Sequence, residues 1–308
     1  MIGLEQIYVV AGLMFAAFAL GHAFEGAWRS ALFWGCFALL LAAGSELPDL
    51  ASGALVIVLA LLGAIGLKPR PVPTSDAVTR ERSAAALGNR LFVPALAIPA
   101  ITVAGTILLP LTPLVDPKQV TLIALALGAG VGLVLAMALV RAGPLTAMSE
   151  GRRLIDAIGW AAVLPQMLAA LGGVFAVAGV GKVVAGLAVQ YIPMGAPVAA
   201  VVVYTVGMAL FTFVMGNAFA AFPVMTAGIG LPIIVGKFGG DPVIMAAVGM
   251  LSGFCGTLLT PMAANFNIVP AAVLELKDRN AVIKAQAPTA FLLLAANTIV
   301  MSLFVFHR

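Results

Sequence analysis

The sequence predicts an all-α, polytopic transmembrane bundle of about ten membrane segments, with broken or re-entrant helices in its C-terminal half. Three observations predict it. First, 63% of the 308 residues are hydrophobic and only 9% are charged, whereas a soluble domain is about one quarter charged. A mean hydropathy of +1.15 leaves too little polar surface to cover a water-soluble globule. Second, the apolar runs do not alternate: Ala51 to Leu67 reads ASGALVIVLALLGAIGL, apolar on every face. A spanning segment must satisfy its own backbone hydrogen bonds, so it is a helix or part of a closed barrel. Barrel strands alternate in polarity, which leaves helices. Third, the basic residues partition between alternate connections, as a multi-pass protein requires.

The same composition excludes a disordered chain, a disulfide-rich secreted module and a cytosolic enzyme. The pI of 9.3 comes from a net charge of +4. That suits loops facing an anionic leaflet and gives no case for nucleic-acid binding.

The segments are read as 2–20, 31–44, 51–67, 91–114, 120–140, 160–180, 197–214, 218–235, 242–275 (long and interrupted) and 287–306. The opening MIGLEQIYVV lacks a positive n-region, so it reads as a retained first span and not as a cleaved signal peptide. With these spans, twelve Lys and Arg fall on one side: Arg29, the 68–90 loop, the loop holding Arg141, Arg152 and Arg153, and the loop holding Lys277, Arg279 and Lys284. Four fall on the other: Lys118, Lys182, Lys237 and Arg308. The richer side is read as cytoplasmic, which puts both termini on the outer side. Residues 181–196 and 215–217 are places where a re-entrant loop could replace a full crossing.

Lys68 to Arg90 is the one long polar stretch. Its PRPVP portion is extended by its prolines, and the remainder is read as a short surface helix. The chain then divides into an N-terminal sub-bundle (1–67), a cytoplasmic linker (68–90) and a C-terminal transport-like bundle (91–308). A second surface helix is expected at 147–158, where Glu150, Arg153 and Asp156 recur at i, i+3. Gly128 and Gly132 form a small-xxx-small pair that lets another helix approach closely. Glu5, His22 and Glu25 fall near the ends of the first span and are read as interfacial and not as a proton relay, which disfavours a proton pump built on carboxylates. Cys36 and Cys255 are far apart in apolar stretches, which argues against a disulfide.

The informative part lies further on. From Val183 to Gly236 no residue is charged. Two sites here and just beyond set a glycine beside a polar residue in an apolar run, with a proline a few residues later. One is Met215-Gly216-Asn217 followed by Pro223. The other is Cys255-Gly256-Thr257 with Thr260-Pro261, running on to Asn265, Asn267 and Pro270. Glycine admits unusual dihedrals and proline removes a backbone donor, so both sites should interrupt a helix. Non-helical backbone at membrane depth must be buried in protein or line a cavity. Transporters bind solutes at such interruptions, using half-helix N-termini for anions and freed carbonyls, hydroxyls and amides for cations. Gly216, Asn217, Gly256, Thr257, Thr260, Asn265 and Asn267 are therefore the candidate substrate-binding residues, with the amides expected to face inward. A neutral amide-and-hydroxyl site suits an organic anion, a zwitterion or Na⁺ as coupling ion. No catalytic set or cofactor is expected, and no metal ligands can be named. The P-loop fragment at Gly179–Lys182 fails at Ala176 and Val183, and neither H-E-x-x-H nor G-x-S-x-G occurs.

On the runs MSEGRRLIDAIGWAAVLPQMLAALGGVFAVAGVGK, FVMGNAFAAFPVMTAGIGLP and GFCGTLLTPMAANFNIVPAAVLELKD, the chain resembles a bacterial inner-membrane family whose members are similar to permeases. Those members are commonly encoded beside a second small membrane protein and a pyroglutamyl peptidase. The resemblance implies a subunit of a two-component secondary transporter for a small organic anion or amino-acid derivative, with 5-oxoproline (pyroglutamate) as the suggested substrate. More distantly, the Gly-polar-Pro interruptions look like those of the ion-transporter superfamily, where two inverted halves each carry a broken helix. Here both interruptions lie in the C-terminal half, and residues 1–140 hold none like them. The missing half-site would come from a second small subunit or a second copy of the chain. The alternative is a non-transporting scaffold subunit of a membrane complex.

Overall fold

The computed structural model describes residues 3–67, 76–113, 115–191 and 196–306. These residues are helical with short connections, and no strand forms among them. Seven helices are long and apolar enough to cross a membrane, and four shorter apolar helices accompany them. The chain divides into two compact units, Met1–Asp156 and Ala157–Arg308.

In the first unit, α1 (Leu4–Phe24) and α2 (Trp28–Ala43) form an antiparallel hairpin turned at Gly26, whose φ of +73° is open only to residues without a Cβ clash. Gly12 lets the two helices touch, since a Cβ there would lie 2.7 Å from that of Ala42. Aromatic rings fill the space beside it. Phe15 stacks on Trp34 at 5.5 Å and meets Phe37 edge-on at 4.9 Å. α3 (Asp49–Ile65) follows, then α4 (Ala77–Leu87), which lies within the expected polar linker. Residues 68–75, with the PRPVP run, are outside the described residues.

α5 (Phe92–Leu108) and α6 (Val120–Val140) pack closely. The expected glycine pair is the reason: a Cβ on Gly128 would lie 2.7 Å from the Ile98 carbonyl oxygen, and one on Gly132 would lie 3.1 Å from that of Pro94. Gly130, on the opposite face, meets nothing.

α7 (Pro144–Ile158) is the expected surface helix, and Glu150 pairs with Arg153 at 2.8 Å as the spacing implied. Asp156 does not extend that series. It turns to His22 at 3.0 Å and accepts from the Trp34 indole at 3.2 Å, while Arg152 pairs with Glu25 at 2.5 Å. The His22 side chain is completely buried beneath α7. The imidazole lies one turn before the end of α1, on the face that α7 covers.

The second unit begins with a 3₁₀ turn (Gly159–Val163), α8 (Leu164–Val177) and α9 (Val180–Tyr191). The stretch that could have been a loop from 181 is thus helical to 191, and residues 192–195 lie outside the described residues. α10 (Pro197–Met215), α11 (Ala218–Met225), α12 (Pro242–Thr257), α13 (Ala264–Val273) and α14 (Ala281–Phe304) complete it. α11 continues without a stop into a π-helical stretch, Thr226–Lys237, containing Pro232. Wide turns of this kind are rare and concentrate at functional sites. Asp241 starts α12 by accepting from the Val243 and Ile244 amides at 2.7 and 3.1 Å, with Pro242 at the first helical position.

α10 is the centre of this unit. Tyr204, Met208 and Val201 are completely buried, packed with Ile229, Ile234, Met245 and Met301. The Tyr204 ring sits in a notch made by glycines of two other helices: a Cβ on Gly249 would meet it at 2.6 Å, and one on Gly230 at 3.1 Å. Its hydroxyl bonds that of Thr226 at 3.1 Å, and Thr205 bonds Thr298 of α14 at 2.8 Å.

The α5–α6 contact gives a paired prediction. Gly128→Leu should lower the thermal unfolding temperature of the purified protein, because an overpacked helix contact costs about 1–3 kcal/mol. Gly130→Leu should leave it unchanged. Equal effects of the two substitutions would contradict the packing described.

Candidate functional site

The first interruption separates α10 from α11. Gly216 ends α10 in the left-handed region at φ +70°, its N–H bonding the Thr212 carbonyl at 2.6 Å. Two conditions require glycine there. A side chain is strained at that φ, and a Cβ would lie 2.7 Å from both the backbone and the side chain of Met262. Asn217 comes next and caps α11, its Oδ1 accepting from the Phe219 N–H at 2.8 Å. The start of α11 therefore presents amide donors and the positive end of a helix dipole inside an apolar unit. One turn earlier the hydroxyl of Thr212 is completely buried and has no hydrogen-bond partner. It faces α12 at Gly253, where a Cβ would lie 3.3 Å from it and 3.1 Å from that of Ala218.

The second interruption separates α12 from α13. Helical bonding stops at Thr257, and the chain turns through 258–263 before α13 begins. Carbonyls left without helical partners must bond elsewhere. Asn267, completely buried on α13, reaches back and donates its amide to the Thr257 and Thr260 carbonyls at 2.8 and 2.6 Å. Gln286 of α14 donates to the Leu258 carbonyl at 3.1 Å and also to Asn267 Oδ1. The hydroxyls turn to the backbone as well. Thr257 Oγ1 donates to the Phe254 carbonyl at 2.6 Å, and Thr260 Oγ1 accepts from the Met262 N–H at 3.2 Å.

The two interruptions meet. Met262, in the turn of the second, is the residue pressed against Gly216 of the first. Glycines on one side of α12 permit this. Gly249 packs on Tyr204, Gly253 on Met208 and Gly256 on the Ala209 carbonyl, all of α10. Beside the second interruption, a cleft of about 430 Å³ opens between α12, α13 and α14. Its walls include Phe254, Phe266 and Leu293, with Thr257 and Asn297 as polar points. Asn297 donates to Cys255 Sγ at 3.7 Å, and both cysteines are free thiols.

Of the residues expected at the site, Gly216, Asn217, Gly256, Thr257, Thr260 and Asn267 belong to these paired interruptions. Asn265 does not face inward as expected: it is exposed. The reason is helical geometry, since two residues apart on α13 is about 200° around the helix, so Asn265 and Asn267 cannot share a face. Thr212, Gln286 and Asn297 were not anticipated. Thr212 had a usable signal, lying four residues before the glycine that caps its helix. Gln286 and Asn297 had none, because their importance comes from where α14 packs. Among the described residues no group of three or more His, Cys, Asp or Glu is placed to hold a metal ion.

Asn267→Leu should destabilise the protein, because it strands the buried Thr257 carbonyl at about 1–3 kcal/mol and leaves the Thr260 carbonyl with only the Ala263 N–H at 3.3 Å. Asn265→Leu, on the opposite face of the same helix, should leave stability within about 0.5 kcal/mol. Thermal unfolding of the two variants side by side checks this, and a harmless Asn267→Leu would refute the bracing role.

No curated protein and no solved structure matches the chain. One family model does, over residues 5–306, and its description reads protein of unknown function (DUF979). Because the match spans nearly every residue, both helix interruptions and the buried His22 pair included, the chain belongs to the DUF979 family.

Proposed function

We propose that the chain is a subunit of a secondary transporter that moves a small organic anion or amino-acid derivative across a bacterial inner membrane. The observation that carries this reading is the meeting of the two interruptions at Gly216 and Met262. A pair of broken apolar helices in contact is the arrangement by which transporters expose backbone groups to a solute. The start of α11, the Asn217 amide and the unpartnered Thr212 hydroxyl supply donors for a carboxylate. The cleft beside Thr257 and Asn297 supplies apolar walls for the rest of the solute. Asn267 braces the site and does not itself contact the solute, since its amide is already engaged. 5-Oxoproline is the first solute to test, on the strength of the family resemblance, with Na⁺ as the coupling ion.

The bilayer topology that fits this reading has ten segments and both termini in the periplasm, with the shorter helices α2, α3, α12 and α13 contributing to the bundle. A second small membrane subunit, or a second copy of the chain, completes the site. Two features support a partner. Asn265 presents an amide on the exposed side of an apolar helix, which is unfavourable against lipid and favourable against another helix. α5 has no buried residue in the isolated chain.

Solute uptake by proteoliposomes tests the proposal. The chain is reconstituted alone and with a second small membrane protein of the kind the family resemblance implies, and offered radiolabelled 5-oxoproline and other small carboxylates under Na⁺ and proton gradients. Uptake is expected with the partner present, falling at least about tenfold in Asn217→Ala and in Thr212→Val, as loss of one or two hydrogen bonds to a charged group implies. No uptake of any carboxylate under any gradient, or full uptake in both variants, would sink the proposal and favour the scaffold reading.

A further inference from the structure

The α5–α6 hairpin carries an apolar cleft with a basic rim, which plays no part in the site above. The two helices run antiparallel: Pro94 and Ile98 of α5 face Gly132 and Gly128 of α6, and Gly105 faces Ala124. The start of α5 and the end of α6 therefore lie together. Glycine keeps the helices in contact as far as Gly132. One turn further, α6 carries Leu135, Ala138 and Leu139, and a cleft of about 370 Å³ opens between these residues and Arg90, Val93 and Pro94.

Three observations say what the cleft takes. Its lining is apolar apart from Arg90, which comes from the 3₁₀ turn (Gly88–Leu91) leading into α5. Val93 and Leu135 are 51% and 36% exposed, so the cleft opens outward from the bundle. The third observation is unpaired charge. Arg90 is exposed, and its guanidinium has no partner among the described residues. The same holds for Arg141, two residues beyond Leu139. Arg141 ends α6 in the left-handed region at φ +56°, where glycine is the usual residue. A non-glycine residue held in such a region is one mark of a functional position. No acidic side chain lines the cleft.

An occupant that satisfies all three is anionic at one end and apolar at the other. We propose that this end of the hairpin binds an anionic phospholipid: Arg90 and Arg141 hold the phosphate, and the cleft takes the upper part of one acyl chain. A guanidinium suits the role because its planar fork matches phosphate oxygens. Basic residues where membrane helices end attract anionic headgroups. A free anion would leave the apolar walls uncovered, and a zwitterionic lipid would bring its own cation to the arginines. An apolar helix of another protein would leave both guanidiniums uncompensated. The lipid occupies the first turn of α5 and leaves the rest of that helix to the partner subunit. The assignment is independent of the transported solute and of the site in the second unit.

Native mass spectrometry of the delipidated full-length protein in detergent tests this, with phosphatidylglycerol and phosphatidylcholine of the same chains added in turn. Phosphatidylglycerol is expected to bind more tightly. Arg90→Gln and Arg141→Gln should each weaken it about fivefold, the worth of one basic residue at a lipid surface. Ala138→Phe fills the cleft at an exposed position and should also weaken it. Arg29→Gln, at an exposed position on α2, should leave binding unchanged. Equal binding of the two lipids, the result if a protein covers this cleft instead, would overturn the proposal. So would full affinity in Arg90→Gln or in Ala138→Phe, or an equal loss in Arg29→Gln. Displacement of the lipid by an equal concentration of glycerol phosphate would overturn it too, since that marks a site for a free anion. All four substitutions are at exposed positions, and thermal unfolding verifies that each variant is folded.

Discussion

A helix interrupted inside an apolar bundle must find new partners for the backbone groups it releases, because a buried backbone group left unpaired is costly. Here one buried amide does most of that. Asn267 bonds two of the carbonyls freed after α12, and Gln286 of α14 bonds a third while holding Asn267 in place. The turn at 258–263 keeps its shape through these contacts, and that shape carries Met262 to Gly216. The relation between the two interruptions therefore depends on a side-chain brace from two further helices, more than on either glycine-proline motif alone.

The same economy of polar groups separates two kinds of residue at the site. Asn267, Thr257 and Thr260 spend their hydrogen-bonding capacity on the protein and act as framework. Asn217 and Thr212 stand differently. Asn217 uses its carbonyl oxygen as a cap, and the Thr212 hydroxyl has no partner at all although fully buried. The second interruption is thus closed by its own hydrogen bonds, while the first keeps an unpartnered hydroxyl beside it. α11 begins at that first interruption and passes into wide π-type turns.

In the first unit, helix contacts follow a simpler rule. Glycines on one helix take the ridges of the next, as Gly128 and Gly132 do on α6 and Gly12 does on α1. The exception is the place where α7 meets α1 and α2 through charges. A carboxylate, an imidazole and a guanidinium stand there beside the contact of Gly151 with the Phe18 ring. Such groups lose solvation on burial and must recover it from each other.

Much of this was legible in the residue order. The scarcity of charge required a membrane bundle, and unbroken apolar runs placed nearly every helix within a few residues. The Gly128–Gly132 spacing foretold a close helix contact, and Gly216-Asn217 and Gly256-Thr257 marked where helices stop. These are local properties: burial of every face, helical period and backbone dihedral preference act within a few turns of chain. What only the tertiary structure decided is which local features meet. Asn265 and Asn267 look equivalent in sequence, yet the phase of α13 buries one and exposes the other. Gln286 and Thr212 gain their roles from neighbours far along the chain. His22 reads as the polar end of a first span until α7 folds over it and supplies Asp156, more than a hundred residues away. Pairings of that kind depend on how helices pack, and no period or propensity encodes them.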